Sequence, residues 1–407
     1  MTSEIHPVRS GSGSIGRVKH LGSLIREVRR RIRASGWGWT ASLVVDRLGV
    51  PAQRWWPERT VAVDALRDLV ARLLAAWGMP AADIEITVRH LIYADLHGID
   101  SHGCAMLYDY HRELRAGRLA IAARVEVAAE GPTTALLDGG GGLGHVPADR
   151  AMRLAIAKAH AMGVGTVAVR NSGHFGAAGS YARLAVAEGL IGVATTSTRI
   201  PSVVPTFGAD AVLGTNPISL AAPAGHNRPF LLDMATSTAP LGKLMTTWRM
   251  GGRIPEGWAQ NPQGGPETDA RLATRYRRLT ALGSTRQMGG HKGYGLAAAV
   301  EILSSVLPGV RRAQGQGSPR TGHFFLAIDP GRFGASGEFR EDLDALLDGF
   351  RGTRPIDPRQ PVQVAGDPEY DAAETRKRSG IPLCRAVVED LRLVCHESGV
   401  PFLSVPG

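Results

Sequence analysis

Val63, Leu66, Val70, Leu73 and Leu74 recur at the three- and four-residue spacing of an amphipathic helix, and a second helical pattern runs from about Ala81 to Leu96. A helical N-terminal layer is expected. Between about Thr134 and Leu220 the pattern changes, and short apolar runs (TALLD, GVGTVAV, LIGVATT) alternate with helical stretches such as PADRAMRLAIAKAHAMG and AAGSYARLAVAEG. That alternation predicts an α/β body. A Gly/Pro/Arg-rich interval follows from about Met250 to Met288; beyond it a helix is expected to open at Gly293, and HFFLAID reads as a strand from His323. Before Arg59 the one clear pattern is Ile25, Val28 and Ile32 at helical spacing, interleaved with Arg26, Arg29, Arg30, Arg31 and Arg33. This predicts a short basic amphipathic helix, followed by Trp37, Trp39, Trp55 and Trp56. It could dock on a membrane surface or a partner, and the plainer reading is an extension of the body.

The length of 407 residues suits two domains better than one ordinary core. No stretch reaches the roughly 18 to 20 uninterrupted apolar residues of a membrane span, and the N-terminus has no secretory apolar core, so a cytoplasmic protein is expected. Cys104, Cys384 and Cys395 are an odd number at spacings that suggest neither a disulfide framework nor a metal site. The net charge of +10 is uneven: residues 1–59 hold 11 Lys/Arg against 4 Asp/Glu, a net of +7, which leaves +3 for the other 348 residues. A nearly balanced body with a basic arm argues against a nucleic-acid-binding surface.

Gly139, Gly141 and Gly144 match the G-x-G-x-x-G spacing of a dinucleotide fingerprint between a strand and a helix. The match carries little weight, because five of the six residues are glycine and the acidic residue expected after the next strand is replaced by Arg170 and Asn171. The chemistry lies elsewhere. GIDSHG (Gly98–Gly103) sets Asp100, Ser101 and His102 side by side in a tight turn. Hydride reduction of a carbonyl or imine needs a proton for the heteroatom, which histidine can supply near neutral pH, although a Ser-His pair in a turn also serves as a cap. NSGHFG brings His174 to the end of a strand, where ligands of α/β folds gather. In PFLLDMATS, Asp233 closes a buried-looking strand and calls for a partner such as histidine or lysine. GGHKGYGL puts Lys292 just ahead of a helix start, where ammonium and backbone N–H groups suit phosphate or carboxylate.

GIDSHG, NSGHFG, LGTNP with LDMATS, GGHKGYGL and GHFFLAIDP, in this order over roughly residues 60–385, resemble the type 2 malate/L-lactate dehydrogenase family. That family also includes ureidoglycolate and sulfolactate dehydrogenases, diketogulonate reductase and piperideine-2-carboxylate reductases. The resemblance implies a non-Rossmann α/β (α+β) fold, with a cofactor domain of largely antiparallel sheet inserted in a second domain, and a homodimer. The expected division is a basic extension (1–59), a substrate and dimerisation domain (60–134 with 290–407) and a cofactor domain (135–289), in which the glycine run is the turn leading in. Also implied are Ser101 and His102 at the substrate, His174 in proton transfer, Asp233 near the nicotinamide, and NAD or NADP held around Thr198, Asp233, Met234 and Lys292. Many members carry an arginine four residues after the SHG histidine to grip a substrate carboxylate, and this chain has Met106 there. Arg199 and Arg112 are candidates to replace it, and Asn216 is a further substrate-binding candidate. A basic insert at Arg271–Arg286 leaves the choice between NAD and NADP open.

The expected activity is hydride transfer to or from C2 of a 2-oxo acid, a 2-hydroxy acid or a cyclic imine carboxylate, with His102 or His174 exchanging the proton. A second reading is a family member without turnover that uses its basic arm to bind a partner, membrane or nucleic acid. Retention of Ser101, His102, His174, Asp233 and Lys292 together speaks against it.

Overall fold

A computed structural model describes residues 57–198, 200–249, 251–310 and 320–403. The basic helix expected near Ile25–Arg33, its tryptophans and Arg199 lie outside these residues. Chain order begins with β1 (Pro57–Val61), α1 (Val63–Ala76), α2 (Ala81–Leu96), a short 3-10 turn (Cys104–Met106) and α3 (Leu107–Arg115). The sheet region follows: β2 (Glu126–Glu130), β3 (Thr134–Asp138), α4 (His145–Met162), β4 (Val164–Ser172), α5 (Gly179–Ala187), β5 (Ile191–Thr196), β6 (Ile218–Ala222) and β7 (Phe230–Met234). Next come α6 (Leu241–Arg249), β8 (Ala259–Gln260), β9 (Pro266–Glu267), α7 (Ala270–Tyr276) and α8 (Gly290–Glu301). The chain then runs through β10 (Thr321–Ile328), α9 (Ser336–Arg351), α10 (Asp367–Ser379), β11 (Ile381–Cys384) and α11 (Arg385–Glu397).

The helical layer forms where the apolar spacing predicts it. Leu66, Val70, Leu73 and Leu74 of α1 are fully buried against Leu91 of α2, Leu107 of α3, Leu383 of β11 and Leu391 of α11. Each such side chain contributes about 1.5–3 kcal/mol by leaving water. Chain segments from both sides of the sheet region thus share one core.

The second core lies under a seven-stranded sheet of order β2-β3-β4-β10-β5-β6-β7, covered by α4 and α5. All its pairings are antiparallel except β3 with β4. β10, which the expected division places with residues 290–407, is the central strand of a sheet whose other members come from residues 126–234. The topology has a consequence for chemistry: β10 runs antiparallel to both β4 and β5, and β6 runs antiparallel to both β5 and β7. β4, β5 and β7 therefore point the same way, and their carboxyl ends share one edge.

The glycine run after β3 has its N–H groups occupied. Gly139 donates to Arg170 O, Gly140 to the Asp138 carboxylate, Gly141 to Asn171 O, Gly142 to Gly139 O and Gly144 to His174 O. A phosphate cradle needs such donors unspent, so this turn packs strand ends together. Among the described residues no helix is long and apolar enough to cross a membrane.

Candidate active site at the carboxyl edge of the sheet

The GIDSHG turn is braced from behind. Asp95, in the last turn of α2, is 1% exposed, and its carboxylate accepts the Cys104 N–H at 2.8 Å. Burial pushes its pKa up to about 7 against the pull of that hydrogen bond. Arg376 of α10 donates to Asp95 O at 2.6 Å and pairs with Asp100, while His102 N–H donates to Ile99 O at 2.9 Å. The braced turn presents an exposed Ser101 and a half-buried His102, with Ser101 Oγ 2.8 Å from His102 Nδ1. Burial lowers the pKa of His102 below its ordinary 6.5. The start of α6 comes beside it, since a methyl group on Gly242 would lie 3.9 Å from Ser101 Cβ.

His174 stands two residues past β4, and its ring centroid is 5.4 Å from that of His102. Two histidines 72 positions apart in sequence thus meet at one place. Tyr110 Oη donates to His174 Nδ1 at 2.7 Å and Gly176 N–H donates to the same atom at 3.3 Å. A backbone N–H can only donate, so Nδ1 is an acceptor and the neutral ring carries its proton on Nε2.

His323, within the HFFLAID run, bridges the strand ends. Its Nε2 meets Ser172 Oγ at 2.8 Å and its Nδ1 meets Thr196 Oγ1 at 2.7 Å, tying β4 to β5 across β10. Fully buried, it has its pKa pushed down to about 3 and stays neutral. Phe175 stacks on it, ring centroids 4.7 Å apart, which fixes the residue next to His174.

Farther along the edge, Asp233 sits at the end of β7 and accepts the Gly179 N–H, at the start of α5, at 2.7 Å. The sequence reading needs correction here: β7 is an edge strand only partly buried, and no histidine or lysine pairs with Asp233 among the described residues. Without a cation, burial raises its pKa to about 7. Met234 follows it, half-buried. Thr198 lies just beyond β5, its Oγ1 accepting the Thr215 N–H at 3.1 Å. Lys292 is exposed and lies in the first turn of α8, not ahead of it, because the helix begins at Gly290, where Gly289 (φ 90°) turns the chain. Its ammonium has no ion-pair partner among the described residues.

Asn216, the further substrate-binding candidate, is held inside the protein. It is fully buried, and its side-chain amide donates to Ala297 O at 3.1 Å and to the Glu301 carboxylate at 2.9 Å while accepting the Thr198 N–H at 3.2 Å. Both amide hydrogens are spent on holding α8 to the loop before β6. Met106 packs against the helical core. Arg112 lies 3.9 Å from the Asp109 carboxylate and over the Tyr108 ring.

Two adjacent histidines, an acid with no cation beside it among the described residues and an exposed ammonium, supplied by these sequence blocks, fit a dehydrogenase. The malate/L-lactate dehydrogenase family model matches residues 61–392, most of the described chain. The chain belongs to the malate/L-lactate dehydrogenase family. The malate dehydrogenase of Pyrococcus horikoshii is 40% identical over 350 residues, spanning 84% of this chain and 96% of that protein. Its solved structure superposes with a TM-score of 0.78, covering 86% of this chain and 99% of that one. The L-sulfolactate dehydrogenase of Methanocaldococcus jannaschii is 35% identical over 82% of this chain and 96% of its own length. The structure of delta1-piperideine-2-carboxylate reductase from Pseudomonas syringae matches with a TM-score of 0.71 at 27% identity, over 83% of this chain and 99% of that one. This member of the malate/L-lactate dehydrogenase family is an oxidoreductase with the mixed-sheet fold of its relatives.

Tyr110 and His323 are site residues that the sequence reading passed over. Tyr110 had a local signal, since Leu107, Tyr110 and His111 form the buried stripe of α3. His323 was read only as part of a strand, although a histidine in so apolar a run must find buried partners.

Proposed function

We propose that this enzyme moves a hydride between NAD or NADP and C2 of a small 2-hydroxy or 2-oxo acid. The observation that carries the reading is the meeting of His102 and His174, 5.4 Å apart, at the sheet edge that also holds Asp233. The substrates named for the malate and sulfolactate relatives are carboxylic acids of this class. The reductase relative makes a cyclic imine carboxylate the second substrate to test.

The chain offers groups suited to a dinucleotide. Lys292 supplies a cation with no ion-pair partner among the described residues, for phosphate, Thr198 a hydroxyl, and Asp233 a carboxyl whose pKa burial raises to about 7. The dinucleotide would supply or accept the hydride. The protein's own task is the proton: as the C2 hydrogen leaves a hydroxy acid with its electron pair, the hydroxyl proton passes to a neutral imidazole, and reduction reverses that transfer. Ser101 and Tyr110 keep the two rings in place for it. Asn216 has no substrate role in this proposal, and the homodimer and cytoplasmic location are retained as parts of it.

The test follows NADH and NADPH absorbance with a panel of 2-oxo acids and cyclic imines. Turnover on at least one is expected, and none on the whole panel would overturn the reading. A pH profile adds a signed check. Hydroxy acid oxidation needs neutral His102, whose pKa is lowered by burial, so kcat/KM should hold at pH 6.5 and fall only below it. An acid limb centred above pH 6.5 would contradict the assignment of His102.

A further inference from the structure

We propose that α10 is the spacer that sets His102 against the sheet edge, and that Arg376, near its end, is the positioning residue through which it acts. The proposal rests on the dehydrogenase reading of the His102 and His174 site.

The two halves of that site have separate origins. Ser101 and His102 follow α2 in the helical layer, whereas His174 and Asp233 stand at the ends of β4 and β7 of the sheet. α10 touches both. Ala365 O, two residues before the helix, accepts the Leu231 N–H of β7 at 3.2 Å, and the Asp367 carboxylate accepts from Arg351 at 2.9 Å. Arg228, just ahead of β7, pairs with Asp371 and with Glu374 of α10, each at 2.7 Å. The same helix packs on the end of α2. The Tyr370 ring meets the His97 ring edge-on with centroids 6.5 Å apart, and a methyl group on Gly98 would lie 3.5 Å from Ala372 Cβ.

Arg376 closes the far end of α10. Its Nη1 donates to Asp95 O at 2.6 Å and to the Asp100 carboxylate, whose second oxygen accepts from Nη2 at 3.3 Å. Asp95 O is a last-turn carbonyl of α2, one of those that a helix leaves without an N–H of its own, and a cation suits that negative end. Asp100 directly precedes Ser101. One planar guanidinium therefore joins the end of α2 to the residue beside Ser101, a forked contact that a point-charge ammonium does not reproduce. The Asp100 side chain is 58% exposed. An ion pair so open to water adds little to stability, and what it fixes is the place of the turn.

That place matters for the reaction. A group that exchanges a proton with a bound substrate works over hydrogen-bond distances, and a misplacement of about 1 Å can cost about 100-fold in rate. Asp95 holds the turn after His102 through the Cys104 N–H, and Arg376 holds it before Ser101. Without the fork, Asp100 is free to turn to water, and Ser101 and His102 move with it.

Arg376→Gln should lower kcat about 10-fold or more, with the Kd for NADH or NADPH, read by fluorescence, within about twofold of the wild type. The deciding measurement is made in the His102→Ala background. There the same substitution should change the remaining rate by less than about twofold, because a residue that acts only by placing His102 has nothing left to place. A residue that merely supports the fold would lower both rates by the same factor. Equal losses in the two backgrounds would overturn the positioning role, as would an unchanged kcat in Arg376→Gln or near-normal turnover in His102→Ala, and each leaves the dehydrogenase reading standing. Should Arg376→Gln fail to fold, Asp100→Ala removes the same fork from its exposed side and decides by the same pair of rates. A wild type inactive on the whole substrate panel would remove both proposals together.

Discussion

His102→Ala should lower turnover about 100-fold or more, the scale of a lost acid-base group. The ring it removes is half-buried and makes two site contacts, one with Ser101 Oγ at 2.8 Å and one with the His174 ring at 5.4 Å. Neither contact supports a core, so the melting temperature should stay close to that of the wild type. Dinucleotide binding, followed by fluorescence titration of NADH or NADPH, should change by less than about threefold, because the groups proposed to hold it lie on β7, α8 and the end of β5. Loss of kcat with retained binding would place His102 in proton transfer. Near-normal kcat would remove it from the mechanism and leave His174 to act alone.

Gly103→Ala should cost about 3 kcal/mol or more of stability and most of the activity. The added methyl group would lie 1.9 Å from Asp95 Oδ1 and 2.2 Å from its Cγ, an overlap no relaxation of bond angles can absorb. The Asp95 carboxyl would have to leave a site where it is 1% exposed and abandon the Cys104 N–H, stranding a buried donor. Because Ser101 and His102 immediately precede Gly103, any shift of the turn carries them away from His174. Denaturant midpoint and kcat should fall together. A variant as stable as the wild type would show that Asp95 does not fix this turn.

Much of the fold was legible because its signals are local. The spacing of Leu66, Val70, Leu73 and Leu74 specifies α1, and the TALLD run coincides with β3. The meeting of His102 with His174 was reachable only through the resemblance, since no local pattern says which turn faces which strand end. The glycine run was rightly set aside, and the reason is visible only in three dimensions, where its N–H groups are taken by Arg170, Asn171 and His174. Asn216 was offered only as a substrate-binding candidate, and what its sequence position could not show is that its side chain is buried on partners from α8, some 80 residues onward. Asp233 misled: a carboxylate near a buried strand suggests a cation, yet a backbone N–H and a raised pKa serve instead. Arg376 gave no signal, because an arginine in a charged helical run reads as solvated surface until its partners are known.

The central place of β10 bears on how the protein is made. β4 and β5 have no hydrogen-bonded neighbour on their facing sides until residues 321–328 slot between them. During synthesis, then, two apolar strands must wait with bare edges while well over a hundred further residues leave the ribosome. His323, which pins both strand ends, arrives with that late segment, so the edge that carries His174 is assembled in one closing event. Nascent chains stalled before Thr321 should bind folding helpers heavily, and those extended past Ile328 should shed them.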